Sequence, residues 1–260
     1  MDSHCVKERD MRFDFQTFLP RSFDGRPFGP EDLTALEDEA GIERFVVMPE
    51  TTERPDNAGL AGRIQGRPRM IGCASVNPAL GAEAVKGFEE AAHRFGFRGL
   101  RLSPLTHGYP IDGEVARPLL ERAREMGAPV TTESCSEGCW PSQIARVAGR
   151  FPEVTIIADV GFRPLAPPVS LGLAPPPEGR IADVAREHPN VYIGMTALAM
   201  AETYLIKRIV GAVSTDKLIF GSNAPSGIPL FSVGGLRRAG LGEQAEGAIL
   251  GETLRRIYGL

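Results

Sequence analysis

Short apolar runs alternate with amphipathic helical stretches along the whole chain, and this alternation restricts the fold more than any other feature. A strand followed by a helix, repeated many times, is typical of βα units that build a parallel sheet. Eight such units predict a closed (β/α)8 TIM barrel of the α/β class. The predicted strands are Phe13–Phe18, Arg44–Met48, Met70–Val76, Gly99–Ser103, Val130–Glu133, Thr155–Asp159, Val191–Thr196 and Leu218–Ser222.

Helix signals fill the intervals between these strands. In Ala116–Met126 the apolar residues recur at helical spacing, and Gly127 follows the end of the stretch. The other predicted helices are Pro30–Ala40, residues 57–66, Gly81–Phe95, Pro141–Arg150, Glu178–His188, Leu198–Val213 and Glu243–Tyr258. A doubly wound open sheet is the alternative fold, but it would need a glycine-rich phosphate loop after an early strand, and residues 49–52 form none.

Composition favours a single globular domain that acts on small molecules. With 42% hydrophobic and 24% charged residues, the chain can bury one large core. We expect a flexible polar tail over residues 1–10 and one domain over residues 11–260. A net charge of -4 with scattered Lys and Arg argues against nucleic-acid binding.

Cellular location follows from what the chain lacks. No apolar run approaches the about 18 residues that a membrane span needs, and the polar N-terminus has no signal-peptide core. We therefore expect a cytoplasmic protein without a membrane partner. Four cysteines in so long a chain do not make a disulfide framework, so reduced thiols are expected.

The residues that end the eighth strand resemble a known signature. Asp216–Pro225 runs from a buried strand into a Gly- and Pro-containing loop, and its Phe-Gly-Ser-Asn-Ala-Pro resembles the Phe-Gly-Ser-Asp-x-Pro of the amidohydrolase superfamily. Gly96–Pro104 resembles that family's Gly-Phe-x-Gly-x-Arg-Leu-His-Pro, and Phe13–Phe18 its first strand, Asp-Phe-His-x-His. The resemblance extends from Met11 to Leu260 and points to the amidohydrolase-related branch of decarboxylases, lactone hydrolases and hydratases.

The resemblance implies a divalent-metal site whose usual ligands are replaced here. The family's metal histidines and aspartate fall on Gln16, Phe18, Glu133, Asp159 and Asn223, and its fourth-strand histidine falls on Ser103. Zinc prefers imidazole and thiolate ligands, so we expect no zinc and no other cofactor. A Mg²⁺-type hydrolase that uses Glu133 and Asp159 stays open as an alternative, because Mg²⁺ accepts carboxylate oxygens.

Strand parity predicts which side chains line the upper barrel. Side chains alternate between the two faces of a strand, so one set points to the barrel centre: Gln16, Arg101, Ser103, Glu133, Asp159 and Asn223. Two buried carboxylates cannot both ionise cheaply, which makes Glu133 and Asp159 a candidate acid and base. Arg101 would bind a substrate carboxylate or an oxyanion. In the alternative interpretation, these acids are only structural ion-pair partners of Arg101 or Arg163.

Loop residues complete the candidate site. His107 follows the fourth strand and is a third catalytic candidate, while Phe18 and Trp140 would contact the substrate. Cys135 and Cys139 follow the fifth strand, where a nucleophile could act, although no neighbouring base is visible in the sequence. The proline-rich segment Arg163–Pro177 is either a lid or a stiff surface connection.

These observations favour a metal-independent hydrolase or lyase. The resemblance implies hydrolysis of a lactone or amide, hydration or dehydration, or decarboxylation of a small, carboxylated, cyclic or aromatic metabolite, with a role in specialised metabolism. A non-catalytic barrel that binds a ligand or a partner enzyme is the alternative from a different class. Family barrels often self-associate, so a homo-oligomer is open, but the sequence locates no interface.

Overall fold

The computed structural model describes residues 11–160, 179–196 and 203–260, and for residues 203–205 it describes the backbone only. Its main sheet has eight strands that are hydrogen-bonded in sequence order, all seven pairs being parallel. This confirms the predicted TIM barrel. The strands are β1 (Phe13–Phe18), β2 (Arg44–Met48), β3 (Met70–Ser75), β4 (Gly99–Leu102), β5 (Val130–Glu133), β6 (Ile156–Asp159), β7 (Val191–Met195) and β8 (Leu218–Phe220).

Helices surround the barrel, and those that precede the eighth strand lie within or close to the predicted helical stretches. They are α1 (Pro30–Glu39), α2 (Asn57–Ile64), α3 (Ala82–Phe95), α4 (Arg117–Met126), α5 (Pro141–Arg150), α6 (Ile181–Glu187), α7 (Thr203–Ala212) and α8 (Pro229–Arg238). A C-terminal helical stretch follows as Glu243–Gly247, a π-helical turn Ala248–Glu252 and Thr253–Tyr258. There is also a short hairpin, in which Ser22–Phe23 pairs with Arg26–Pro27. Single helical turns are formed by Pro78–Leu80, Pro104–His107 and Thr215–Lys217.

Two features of this arrangement were not predicted from the sequence. Helix α8 follows the β8 loop, where its two glycines weaken the helical pattern, and the sequence alone gave no prediction there. The last predicted helix, Glu243–Tyr258, is interrupted by its π turn. The predicted segment Arg163–Pro177 lies outside the described residues, as does the start of the predicted helix Leu198–Val213.

The core has two layers, and the predicted strand parity separates them. Leu100, Leu102, Ile156, Leu218 and Phe220 pack in the layer between barrel and helices. A second cluster fills the barrel itself. Its residues are Phe13, Phe15, Val46, Met48, Ile71, Cys73, Ile157, Ile219, Leu254 and Tyr258. The barrel below the strand ends is therefore a packed apolar plug.

A register irregularity in β1 changes which side chains point inward. Strict alternation from Gln16 would direct Asp14 into the barrel, but pairing of β1 with β2 shifts between Asp14 and Thr17. Phe15 therefore fills the centre, so closely that a Cβ on Gly194 would lie 2.3 Å from its ring. Gln16 also points inward, as its side-chain contacts show.

Asp14 fastens the seam where the last strand meets the first. Only one isolated bridge, Thr17 with Ala224, joins these ends within the described strands. The Asp14 carboxylate accepts hydrogen bonds from the backbone N–H of Gln16 (2.9 Å) and of Ser222 (2.9 Å). The carboxylate thus supplies acceptors where the regular β-ladder is missing.

Two fully buried carboxyl groups lie near this seam. Burial raises the pKa of Asp14 to about 7, although its hydrogen bonds from Ser222 and Gln16 act in the opposite direction. Glu37 of α1 is also fully buried, and burial together with the nearby Asp14 charge raises the pKa of Glu37 well above its usual value of 4.5. Both groups make the fold sensitive to pH.

No helix in the described ranges is long and apolar enough to cross a membrane.

Glu37→Gln is expected to stabilise the protein at pH 8 and to change little at pH 4. Because the folded-state pKa of Glu37 lies above the unfolded one, folding resists its ionisation, and this penalty grows as pH rises above 4.5. Each kcal/mol of penalty removed should raise Tm by about 2–4 °C. Thermal unfolding at both pH values measures this. Glu39→Gln, exposed on the same helix, is the control, and equal gains for both variants would contradict the assignment.

Candidate active site

The carboxamide of Gln16 is the centre of a buried polar network at the carboxyl ends of the strands. Its Nε2 donates to Asp159 Oδ2 (3.0 Å) and to Asn223 Oδ1 (3.1 Å). Its Oε1 accepts from Arg101 Nη1 (2.8 Å). One side chain of β1 therefore links groups from β4, β6 and the β8 loop, although up to 207 residues separate the partners.

Arg101 brings a buried positive charge to this network. Its side chain is only 4% exposed, and its Nη2 lies 3.5 Å from Glu133 Oε1, whose side chain is 3% exposed. Its Nε donates to Ser103 Oγ at 3.2 Å. The guanidinium is therefore held by groups on three sides, which fixes its orientation. The set of inward polar side chains at the strand ends is called the cup here: Gln16, Arg101, Ser103, Glu133, Asp159 and Asn223.

Asp159 is the second carboxylate of the cup and has its own hydrogen-bond donors. Thr196 Oγ donates to Asp159 Oδ1 at 2.6 Å, while Gln16 occupies Oδ2. Its backbone carbonyl accepts from the N–H and hydroxyl of Ser134 (2.9 and 3.0 Å). The donors Gln16 and Thr196 therefore fix the orientation of the Asp159 carboxylate within the network.

Backbone strain is concentrated beside these residues. Asn223 has φ 61°, a left-handed conformation that Asn tolerates better than most residues, and Cys135 has φ 58° two positions after Glu133. The Asn223 N–H donates to the Gln16 carbonyl at 3.0 Å, which fixes the left-handed residue against β1. Such conformations are held where surrounding contacts demand them, and they are frequent at functional sites.

Six of the predicted side chains thus converge as parity indicated: Gln16, Arg101, Ser103, Glu133, Asp159 and Asn223. The roles assigned to them stay predictions. The interpretation of the two acids as structural ion-pair partners of Arg101 stays open, and the contact of Arg101 with Glu133 at 3.5 Å is one such pair. The possible pair with Arg163 lies outside the described residues.

The other three predicted residues lie at the edges of the cup. His107 is in the turn Pro104–His107, where its Nε2 donates to the Thr52 carbonyl (2.9 Å) and its ring stacks on Tyr109. Trp140 lines a separate pocket of about 340 Å³. Phe18 is partly buried and packs on the inner apolar cluster. Across the described ranges no hydrogen bond joins His107 to the Gln16 network, so its catalytic role stays a prediction.

The cysteines after β5 are buried in this strained loop. Burial raises the pKa of Cys135 to about 11, so its thiol is protonated at neutral pH. The Cys139 sulfur lies 3.1 Å from Ser136 Oγ. A protonated, buried thiol is a weak nucleophile, so the site offers no support for thiol catalysis by Cys135.

The donor set does not fit a divalent transition metal. The oxygen and nitrogen of Gln16 are both committed to neighbouring side chains, and Phe18 offers no ligand atom. Among the described residues no cluster of three His, Cys, Asp or Glu side chains could hold a metal ion. The guanidinium of Arg101 also places a positive charge beside Gln16, where it would repel a cation.

Two contributors were missed by the sequence analysis. Asp14 was quoted within the family motif, but its role at the seam depends on the β1 irregularity, which has no clear signal in the sequence. Thr196 ends a predicted strand, and its position next to Asp159 becomes visible only when β6 and β7 are paired.

The sequence matches a known protein family over nearly its whole length. A family profile described as Amidohydrolase matches residues 2–260. The chain belongs to the amidohydrolase family. A search of functionally curated protein sequences found no match.

Solved structures show the same amidohydrolase fold. An uncharacterised TIM-barrel protein from Bordetella bronchiseptica is 18% identical, with a TM-score of 0.72 over 96% of this chain and 98% of its own. The 5-carboxyvanillate decarboxylase of Novosphingobium aromaticivorans, complexed with manganese and 4-hydroxy-3-methoxy-5-nitrobenzoic acid, is 13% identical, with a TM-score of 0.75 over 97% of both chains. A probable 2-pyrone-4,6-dicarboxylic acid hydrolase from Acinetobacter baumannii is 14% identical, with a TM-score of 0.71 over 96% and 99%. At these identities the likeness concerns the fold.

Gln16→Met is expected to destabilise the protein by about 2–4 kcal/mol, because it removes three hydrogen bonds while it nearly conserves volume. Urea unfolding measures the change. The matched control is Gln65→Met, at an exposed position, where a change below about 0.5 kcal/mol is expected. The same small effect for both substitutions would contradict the claim that the hydrogen bonds of Gln16 stabilise the folded protein.

Proposed function

We propose that this amidohydrolase-family chain is an enzyme that acts without a transition metal on a small, carboxylated cyclic or aromatic metabolite. The observation that carries the proposal is the Gln16 network, which holds one guanidinium and two carboxylates at the place where family members commonly hold a cation. The chemistry is hydrolysis, hydration or dehydration, or decarboxylation.

Each part of the network has a role in this proposal. Arg101 binds the substrate carboxylate or stabilises an oxyanion, since a buried, oriented guanidinium interacts more strongly than one in water. Asp159 takes a proton from water or substrate, because Gln16 and Thr196 hold its carboxylate in one orientation beside Arg101 and Glu133. The proton that Asp159 takes up is passed to the product by way of Glu133, which is next to it in register.

Similarity to the decarboxylase and the pyrone hydrolase supports the substrate class. Both proteins are named for carboxylated ring compounds, and both share the fold over nearly their whole lengths. The buried Arg101 is the feature of this chain that would recognise such a carboxylate. The decarboxylase structure contains manganese. In this chain the Gln16 amide and the Arg101 guanidinium bind each other, and a guanidinium is not a ligand for manganese.

Catalysis is tested by screening turnover of lactones and hydroxylated benzoates with the wild type, Asp159→Asn and Glu133→Gln. Each variant is expected to lower kcat by about 100-fold or more, since general acid–base groups contribute this much. Asp38→Asn is the control, because Asp38 of α1 is exposed and is paired with Arg69 (2.6 Å) away from the Gln16 network. Binding of a carboxylated ring compound with no turnover by the wild type would instead support a non-catalytic binding barrel.

A further inference from the structure

Ser75 is a buried residue of the cup to which neither the sequence nor the network above assigns a role. It ends β3, where Ile71 and Cys73 belong to the inner cluster, so alternation directs Ser75 to the barrel interior. It is paired in register with Arg101 of β4. Neighbouring residues of a parallel pair point to the same face, so the side chains of Ser75 and Arg101 both enter the barrel interior from adjacent strands.

The backbone of Ser75 is fixed from outside the barrel. Asn57, the first residue of α2, donates from Nδ2 to the Ser75 carbonyl (2.8 Å) and accepts at Oδ1 from the Ser75 N–H (3.0 Å). These two bonds replace the ladder bonds that a strand end lacks. The position of the hydroxyl is therefore set before any ligand arrives.

The hydroxyl itself has no hydrogen-bond partner in the part of the chain that the structure describes. Ser75 is 1% exposed, and its Oγ is fully shielded. A buried hydroxyl without a partner costs about 1–3 kcal/mol, and native proteins retain few such groups, each of which calls for a partner such as a water or a ligand. The unpartnered hydroxyl on the strand next to Arg101 thus requires an explanation.

The inward groups of the cup divide into two sides. Donors come from β3 and β4 and the residue that follows: Ser75, Arg101 and Ser103. Acids come from the neighbouring strands β5 and β6, as Glu133 and Asp159. A substrate with an anionic end and a reacting centre would be oriented by this division, its anion on the donor side.

We propose that Ser75 is a specificity-determining residue whose hydroxyl donates a hydrogen bond to the substrate carboxylate that Arg101 binds. The inference rests on the proposed function for the identity of that carboxylate. The Ser75 hydroxyl is a neutral donor from β3 that gains a hydrogen-bond partner only when the ligand is bound. Because a carboxylate oxygen is the stronger acceptor, this donor favours a carboxylate over an amide of the same shape.

The test is calorimetric binding of benzoate and of benzamide to the wild type, Ser75→Ala and Ser232→Ala. Benzoate is the minimal aromatic carboxylate, and binding requires no turnover, so this test is independent of the enzymatic proposal. Ser75→Ala is expected to raise Kd for benzoate about 10-fold and to change Kd for benzamide less. Ser232, fully buried in α8 with its hydroxyl directed to the Ile228 carbonyl, is the matched control and should leave both constants unchanged.

Thermal unfolding of the free proteins separates a binding role from a structural one. Because the Ser75 hydroxyl has no partner in the described ranges, its removal should leave Tm unchanged or raise it. Unchanged benzoate affinity in Ser75→Ala would overturn the inference. So would wild-type protein that does not bind millimolar benzoate, or a Tm loss in Ser75→Ala larger than in Ser232→Ala.

Discussion

The contact between the Gln16 carboxamide and Arg101 holds the buried charged groups of this barrel in their positions. A neutral amide can orient a guanidinium and an acid at once, because it offers an acceptor on one atom and two donors on the other. A histidine in its place could bind a cation, but it could not satisfy all three neighbours. The positive charge of the site is thus built into the chain as Arg101, and the two nearby carboxylates compensate for it in a dry environment.

The fold was predictable because its signals repeat. Each apolar run is long enough for a strand buried on both faces, and eight runs interrupted by helices leave little choice of topology. Helix α8 escaped prediction because two glycines weaken its pattern, and tertiary packing of Val233 and Leu236 stabilises it instead. Local preference and burial disagree there, and only the structure shows which one prevails.

The site was predictable as far as strand parity holds. Alternation on β4, β5 and β6 placed Arg101, Glu133 and Asp159 in one cup, since each strand is regular to its end. On β1 alternation placed Gln16 correctly, but it did not indicate that a register shift also turns Phe15 inward and moves Asp14 to the seam. Which residues of two strands lie side by side, such as Ser75 and Arg101, depends on the register between the strands. The residue pattern of a single strand does not contain that register.

The central claim is that the guanidinium and amide groups of the cup take the place of a metal ion. Elemental analysis by inductively coupled plasma mass spectrometry, on protein purified from cells supplemented with zinc and manganese, tests it most directly. The account predicts far less than one equivalent of either metal per chain, because Gln16 and Arg101 leave no suitable ligand set. One equivalent of zinc or manganese that is retained through purification, and lost when Asp159 is replaced by Asn, would contradict it.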